Sequence, residues 1–231
     1  QETMLAEVFT SITGAEHALK HLRSWMKTRR MPTALHFMPG SNALMPQPLG
    51  VVGIIAPWNY PVANALMDAI SALAAGCAVL LKPSERTPLT AELIKRGWLD
   101  SGGPAVFDIA QGMREVSEAV IDVSDFVQFT GSSATGVKVM ERAARRLTPV
   151  SLELGGKDPM IVLEDADIDL AAHAAVWGAM FNAGQTCVCA NPMVIHNTQV
   201  NAAQPAVFFM FRVIYVPPLA SAKRSAESPP L

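Results

Sequence analysis

The sequence predicts an α/β protein whose main domain is built on an open, doubly wound parallel sheet. Short apolar runs without polar alternation, of which Gly50–Ala56 is the clearest, are typical of strands buried on both faces. Longer segments with helical periodicity separate these runs, and strands joined through helices are parallel with right-handed crossovers. A Rossmann-like sheet of this kind collects its ligands at the carboxyl ends of its strands.

Each element follows from the spacing of its apolar residues. Residues 1–30 place large apolar side chains at mostly three- and four-residue intervals, which predicts a helix closed by a basic turn. Strands are predicted, in chain order, at Gly50–Ala56, Ala78–Leu81, Val106–Ala110, Phe126–Phe129, Val150–Leu154 and Met160–Leu163. The predicted helices between and after them are Pro61–Ala75, Thr90–Leu99, Ala134–Leu147 and Ile168–Asn182.

The order of these elements divides the chain into consecutive parts. Residues 1–154 are predicted to hold the N-terminal helix and a dinucleotide-binding domain, and residues 155–198 the incomplete beginning of a second, α/β catalytic domain. Residues 199–231 become rich in phenylalanine and then in proline, alanine and serine. This tail is expected to be unfolded, or to result from a frame change, because it has no clear period.

Composition and charge exclude several classes of function. The chain has 231 residues, 50% of them hydrophobic and 16% charged, with a formal net charge of -2. We therefore expect a globular protein that does not bind nucleic acid, because it has no strong basic field. No membrane span is expected, because the longest apolar run, Ile70–Leu81, is too short and contains Gly76. We expect no secretory signal at the start of the chain. Its three cysteines lack metal-finger spacing, so we also expect no metal site and a cytoplasmic location.

The turn after the first buried strand holds a candidate oxyanion donor. Its sequence is Pro57-Trp-Asn-Tyr-Pro61, and the two prolines fix the chain on both sides of Asn59. An amide held in this way could donate a hydrogen bond to an oxyanion. The alternative is a rigid strand-to-helix turn in which Trp58 only packs.

Candidate cofactor contacts follow two further strands. Lys82 and Glu85 come after the second strand, where an ammonium and a carboxylate suit the hydroxyls of an adenosine ribose. The alternative is that the residues around Glu85 cap the following helix. Gly131 and Ser132 end the segment Phe129-Thr-Gly-Ser132 before another helix, whose backbone N–H groups would favour a pyrophosphate. The alternative for Ser132 is an ordinary N-cap.

One carboxylate and one thiol are candidate catalytic groups. Glu153 lies among apolar residues at a strand end, where desolvation is expected to raise its pKa toward the range of a general base. The alternative is an ion pair with Lys157. Cys187 follows a predicted helix, so its thiol is expected in a loop and is a candidate nucleophile. Cys77 and Cys189 are expected to be buried packing residues.

Taken in chain order, these motifs resemble the successive signatures of the aldehyde dehydrogenase superfamily. The resemblance covers roughly Pro48–Val188, and Leu147–Lys157 is similar to its class 3-like branch. Upstream, Ala18–Pro39 is similar to bacterial coniferyl aldehyde dehydrogenases. The resemblance implies an enzyme that oxidises an aldehyde, coniferyl or a related aromatic aldehyde among them, to the carboxylic acid with NAD or alternatively NADP.

The resemblance also implies a role for each candidate residue. Cys187 is implied as the nucleophile that forms a thiohemiacetal, whose oxyanion accepts from the Asn59 amide and the Cys187 backbone N–H. Glu153 is implied as the base that activates water to hydrolyse the later thioester. The implied cofactor contacts are Trp58, Lys82, Glu85, Gly131 and Ser132.

The sequence departs from the family after Val188. The family's Glu-x-Phe-Gly-Pro motif and later substrate-pocket loops have no counterpart in this chain, which is expected to be close to half of a family member. The alternative function is therefore a catalytically inactive, cofactor-binding fragment. A homodimer is expected for full-length members of the family.

Overall fold

The computed structural model describes residues 2–156, 158–163, 165–195 and 212–215, which fall into two compact units. The first unit extends to Gly155 and the second begins at Gly156. Among the described helices, none combines the length and the apolar content that a bilayer crossing requires.

The first unit opens with a helical segment and a small hairpin. A π-helical turn, Met4–Phe9, continues into α1, Thr10–Trp25. Strand β1, Arg29–Met31, pairs antiparallel with β2, Asn42–Leu44. The basic residues expected to close the helix are therefore partly in a strand, because the two arginines of β1 pair with β2 through their backbone.

A five-stranded parallel sheet forms the centre of the first unit, with the spatial order β5-β4-β3-β6-β7. Its strands are β3, Val51–Ile55; β4, Ala78–Lys82; β5, Phe107–Ile109; β6, Phe126–Gly131; and β7, Val150–Leu154. The connecting helices are α2, Ala63–Ala74; α3, Pro88–Asp100; α4, Arg114–Val123; and α5, Ser133–Ala144. The predicted doubly wound parallel sheet is confirmed.

Both faces of this sheet are covered by helices. Val52 and Ile54 of β3 pack in one apolar cluster with alanines of α2 and partly buried residues of α3. Val127 and Phe129 of β6 pack in a second cluster with residues of α4 and α5. Ile54 and Val127 have no solvent exposure. The central strand β3 therefore lacks polar alternation, because helices cover both of its faces.

The chain adds strands first on one side of β3 and then on the other. It runs from β3 to β4 and β5, and returns across the sheet to add β6 and β7 beside β3. Helix α4, which the sequence analysis did not identify, makes this return. The strand order reverses between the carboxyl ends of β3 and β6, which is where open α/β sheets bind ligands.

The second unit contains a three-stranded parallel sheet and one long helix. Its elements are β8, Asp158–Val162; α6, Ile168–Met180; β9, Ala190–Ile195; and β10, Arg212–Tyr215. The strand order is β10-β9-β8, with parallel pairing throughout. Within the predicted tail, the residues of β10 pair with β9. The rest of the tail, residues 199–211 and 216–231, lies outside the described residues.

Candidate active site

The predicted cofactor residues lie at the ends of neighbouring strands, or on the loops that follow them, at the same edge of the sheet. Ile55, near the end of β3, is in register with Lys82 of β4 on one side and with Phe129 of β6 on the other. The loops that follow these strands therefore begin side by side at the switch point of the first unit. Parallel pairing explains this arrangement, since it brings all carboxyl ends to one edge.

Asn59 is half-buried in the turn between β3 and α2. The Asn64 side-chain amide donates to Asn59 Oδ1 at 3.5 Å, from the first turn of α2. The backbone N–H groups of Val62 and Ala63 donate to Glu7 Oε2 at 2.7 and 3.2 Å. The turn is thus held from both α2 and the N-terminal helical segment.

Trp58, in the same turn, is exposed and contacts the loop after β4. Its side chain is 38% exposed, and the Arg86 guanidinium carbon lies 5.3 Å from the centre of its ring. This geometry is a cation–π contact. The indole therefore lies at the surface beside a cation rather than in the apolar core.

Lys82 and Glu85 form an ion pair at the end of β4. Lys82 is buried, and its Nζ lies 3.3 Å from Glu85 Oε2, while about half of the Glu85 side chain is exposed. A hydrogen bond from its own backbone N–H and the contact with Lys82 lower the pKa of Glu85. The helix-cap alternative is wrong, because α3 has Thr87 at its N-cap and no side-chain cap bond.

Ser132 is the N-cap of α5. Its hydroxyl oxygen accepts from the Thr135 backbone N–H at 3.3 Å and lies 3.0 Å from Thr135 Oγ1. Ser132 is therefore an ordinary N-cap, the alternative named for it above. The N-terminus of α5 lies at the switch-point edge of the sheet. Gly131 precedes it at the end of β6, where a Cβ would lie 2.6 Å from the Phe129 ring.

These groups fit a dinucleotide. The Lys82–Glu85 pair offers a donor and an exposed anionic acceptor, which suit ribose hydroxyls. The start of α5 offers backbone N–H groups and the positive end of the helix dipole, which suit a pyrophosphate. Within the described ranges, no three His, Cys, Asp or Glu side chains are grouped so that they could hold a metal ion.

Glu153 lies on β7 opposite Thr130 of β6. Its side chain is exposed, so the expected desolvation is wrong for the described part of the chain. The physical reason is its position on an edge strand, since β7 pairs only with β6 within the first unit. Lys157, its alternative ion-pair partner, lies outside the described residues.

Asp68 is a titratable group that the sequence analysis missed. It lies on α2 and lines a cavity of about 240 Å³ together with Gln128 and Cys77. Burial, and secondly the charge of Glu153, raise the pKa of Asp68 from 3.8 to about 6. The available signal was that Asp68 is the only charged residue of the helix before Gly76.

Cys187 belongs to the second unit, where it is exposed in a turn after α6. The preceding residues Asn182, Ala183 and Gly184 have φ angles of 51, 55 and 75°. Such left-handed backbone costs a non-glycine residue about 1–2 kcal/mol. A Cβ on Gly156 would lie 4.0 Å from the Cys187 carbonyl oxygen, so these backbones are close.

The other cysteines are buried, as expected. Cys77 is 5% exposed, and its sulfur accepts from the Leu49 backbone N–H. Cys189 is 3% exposed, and its thiol lies 3.2 Å from the Ala179 carbonyl oxygen. All three cysteines are free thiols. Exposure therefore distinguishes Cys187 from the other two.

Comparisons with known proteins agree with these features. The model of the aldehyde dehydrogenase family matches residues 1–207. A probable coniferyl aldehyde dehydrogenase of Pseudomonas aeruginosa is 40% identical over 86% of this chain and 42% of its own length. Aldehyde dehydrogenase family 3 comG of Dictyostelium discoideum is 40% identical over 83% of this chain and 41% of its own.

The fold is also similar to that of solved structures. The crystal structure of a Mycobacterium tuberculosis aldehyde dehydrogenase complexed with NAD+ superimposes with a TM-score of 0.75 at 34% identity. The match covers 83% of this chain and 40% of that structure. This chain thus spans about two fifths of the length of these relatives. The family match, the identities and the shared fold together show that the chain belongs to the aldehyde dehydrogenase family.

Proposed function

We propose that this chain is the part of an NAD(P)-dependent aldehyde dehydrogenase that binds the cofactor and supplies the catalytic thiol. The whole enzyme then oxidises an aldehyde to a carboxylic acid. The observation that carries this proposal is the exposed Cys187 thiol on a strained turn, in a chain that belongs to this family. A thiol that is accessible can attack a carbonyl carbon, whereas Cys77 and Cys189 are buried.

In the first step, the Cys187 thiolate attacks the aldehyde and forms a sulfur–carbon bond. The carbonyl oxygen becomes an oxyanion, and the Asn59 side-chain amide and the Cys187 backbone N–H donate to it. Loss of one such donor typically costs about 3 kcal/mol of transition-state stabilisation. The two prolines and the first turn of α2 hold Asn59 in advance, so little reorganisation accompanies the reaction.

Glu153 acts in the later hydrolysis. Its carboxylate takes a proton from water, the water oxygen attacks the thioester carbon, and the carbon–sulfur bond breaks to release the acid and the Cys187 thiolate. The exposed position of Glu153 gives it access to water. NAD(P), when bound, supplies the hydride acceptor for the oxidation step between these two stages.

The finer assignments rest on Glu85 and on the relatives. The anionic Glu85 carboxylate favours NAD over NADP, since it would repel a 2′-phosphate. The Pseudomonas aeruginosa relative supports coniferyl or a related aromatic aldehyde as substrate. We extend the proposal to a homodimer in the cytoplasm. The second candidate function is cofactor binding without turnover. It is favoured by the fact that this chain covers only 42% of the length of the Pseudomonas aeruginosa relative.

Replacement of Glu153 by glutamine tests the assigned steps, in a protein that continues this chain to the length of its relatives. Because glutamine cannot accept the proton, Glu153→Gln should slow thioester hydrolysis while hydride transfer persists. Rapid mixing with coniferaldehyde and NAD should therefore give a burst of NADH absorbance followed by slow turnover. Cys187→Ser should give no burst.

Glu141→Gln is the matched control, because Glu141 is exposed on α5 away from the strand ends. It should keep the turnover of the unmodified protein. Loss of the burst in Glu153→Gln would show that Glu153 is not specific to hydrolysis. Turnover that survives Cys187→Ser would refute Cys187 as the nucleophile.

A further inference from the structure

Glu7 is a buried acidic residue whose partners lie far away in the sequence. It is 5% exposed, in the π-helical turn before α1. A buried carboxylate is costly unless it is ion-paired or hydrogen-bonded. Its Oε2 accepts from the backbone N–H groups of Val62 and Ala63, at 2.7 and 3.2 Å.

These two N–H groups belong to the start of α2, which has no cap of its own. Val62 is at the N-cap position, and its side chain makes no cap bond. The first N–H groups of a helix lack partners within the helix and require an external acceptor. Glu7 supplies that acceptor, and its negative charge also suits the positive end of the helix dipole.

The start of α2 in turn orients Asn59. The Asn64 backbone N–H donates to the Tyr60 carbonyl oxygen at 3.0 Å, which closes the turn after Asn59. The Asn64 side-chain amide donates to Asn59 Oδ1 at 3.5 Å. Asn64 follows Ala63 directly, so an acceptor that fixes Val62 and Ala63 also fixes the residue that contacts Asn59.

We propose that Glu7 is a positioning residue for Asn59, which caps α2 from the N-terminal segment and so sets the direction of the Asn59 amide. This inference rests on the proposed function, because it assigns to Asn59 the role of oxyanion donor. It assigns to the N-terminal segment a part in catalysis, although that segment lies outside the strand-end loops. Glu7 itself does not touch the substrate or the cofactor.

Hydrogen exchange of the 231-residue chain tests the cap without requiring activity. Glu7→Met removes the acceptor oxygens at similar size, whereas Glu7→Gln keeps one acceptor oxygen. Peptides that cover residues 60–66 should exchange about tenfold faster in Glu7→Met, as expected for a lost helix cap, and nearly normally in Glu7→Gln. Glu16→Met is the matched control, because Glu16 is exposed on α1. Equal exchange in Glu7→Met and the control would overturn the proposal.

A double-mutant cycle in the protein continued to the length of its relatives tests the connection to Asn59. Glu7→Met should lower kcat for hydride transfer about tenfold while the KM for NAD stays unchanged, and Glu7→Gln should restore most of the rate. In an Asn59→Ala background, Glu7→Met should have little further effect, because both changes act through the same amide. Independent, multiplying effects of the two substitutions would overturn the positioning role.

The two measurements separate this inference from the proposed function. If the continued protein oxidises no aldehyde, the proposed function fails, and with it the role of Glu7 in catalysis, while hydrogen exchange still decides whether Glu7 caps α2. If it oxidises aldehydes and the cycle is additive, only the inference about Glu7 fails.

Discussion

Cys187 differs from the other two cysteines in its exposure, and this difference predicts its reactivity. In a protein continued to the length of its relatives, brief treatment with iodoacetamide should alkylate Cys187 first, because Cys77 and Cys189 are buried. Peptide mapping by mass spectrometry measures the labelled fraction at each position. Labelling of Cys77 at the rate of Cys187 would contradict the assignment, and full labelling of all three under denaturing conditions is the control.

Asp68 should make the stability of the chain depend on pH. Its native pKa of about 6 lies above the ordinary value of 3.8, so folding favours the protonated form. This contribution to stability is fully present below about pH 4 and is lost as the pH rises through about 6. Asp68→Asn should therefore raise the unfolding free energy near pH 7 by up to about 3 kcal/mol, and change it little at pH 4.

Urea unfolding followed by circular dichroism at the two pH values measures this effect. Asp100→Asn is the matched control, because Asp100 is exposed at the end of α3. A gain for Asp68→Asn of the same size at both pH values would show that titration of Asp68 is not its cause. The neighbouring charge of Glu153 is the second cause of the raised pKa, so Glu153→Gln should reduce the dependence in part.

At the scale of elements, glycine in β3 permits the close packing of α4. A Cβ at Gly53 would overlap the Ser124 hydroxyl and lie 2.9 Å from Val120 Cγ1. Gly53→Ala should therefore lower the unfolding free energy by about 1–3 kcal/mol through overpacking. At Gly97, inside α3, a Cβ would have no neighbour within 4 Å.

Gly97→Ala is thus the matched substitution with the opposite expected sign. It should raise the unfolding free energy by about 0.5–1 kcal/mol, because alanine favours a helix interior. Thermal unfolding of both variants measures the difference. Equal effects of the two substitutions would show that α4 does not pack on β3 as closely as described.

Strands could be predicted well both from a continuous apolar run, as in β4, and from alternating apolar and polar residues, as in β7. Val150–Leu154 was predicted as a strand with the bounds of β7, and the expectation for β4 differs only by the inclusion of Lys82. Helix α4 was missed although half of its residues are apolar, because it is only 10 residues long. Such a helix is stabilised mainly by the sheet it packs on, which a local pattern does not contain.

The candidate site could be predicted only as far as the backbone determines it. Parallel pairing places the loops of Asn59, Lys82 and Ser132 at one edge, and this follows from the order of the elements. The Arg86 contact with Trp58 and the environment of Asp68 depend on side-chain packing between distant segments. Glu153 is exposed because β7 is an edge strand. Its apolar neighbours in the sequence do not show that position, so the expectation of a desolvated carboxylate failed. The catalytic and binding roles remain predictions.

At the scale of the whole molecule, the second unit exposes many large apolar side chains. Trp177 is 64% exposed, and other exposed apolar side chains of α6 are Ile168, Leu170, Val176 and Met180. An apolar helix surface of this kind is typical of an interface or of an aggregation site. The 231-residue chain should therefore self-associate as its concentration rises. It should also turn over aldehyde negligibly by itself, because it spans about two fifths of the length of its relatives.

Light scattering against protein concentration measures the self-association. Replacement of both Leu170 and Trp177 by lysine should lower the scattering, because it adds charge and removes exposed apolar area. Ala174→Lys is the matched control, since it adds a charge on exposed α6 surface without removing a large side chain. Equal scattering of the unmodified chain and the double variant would show that this surface does not drive association. Turnover of coniferaldehyde at about 1 per second or more would contradict the expected inactivity.

The contact between Arg86 and Trp58 gives the molecule a built-in optical reporter. Indole emission responds to a nearby positive charge, and Arg86 lies on the loop that also carries Glu85. A nucleotide that moves the Arg86 guanidinium will therefore change the fluorescence of Trp58 without any added label. The chain has four tryptophans, so the difference spectrum between the unmodified chain and Trp58→Phe isolates this signal.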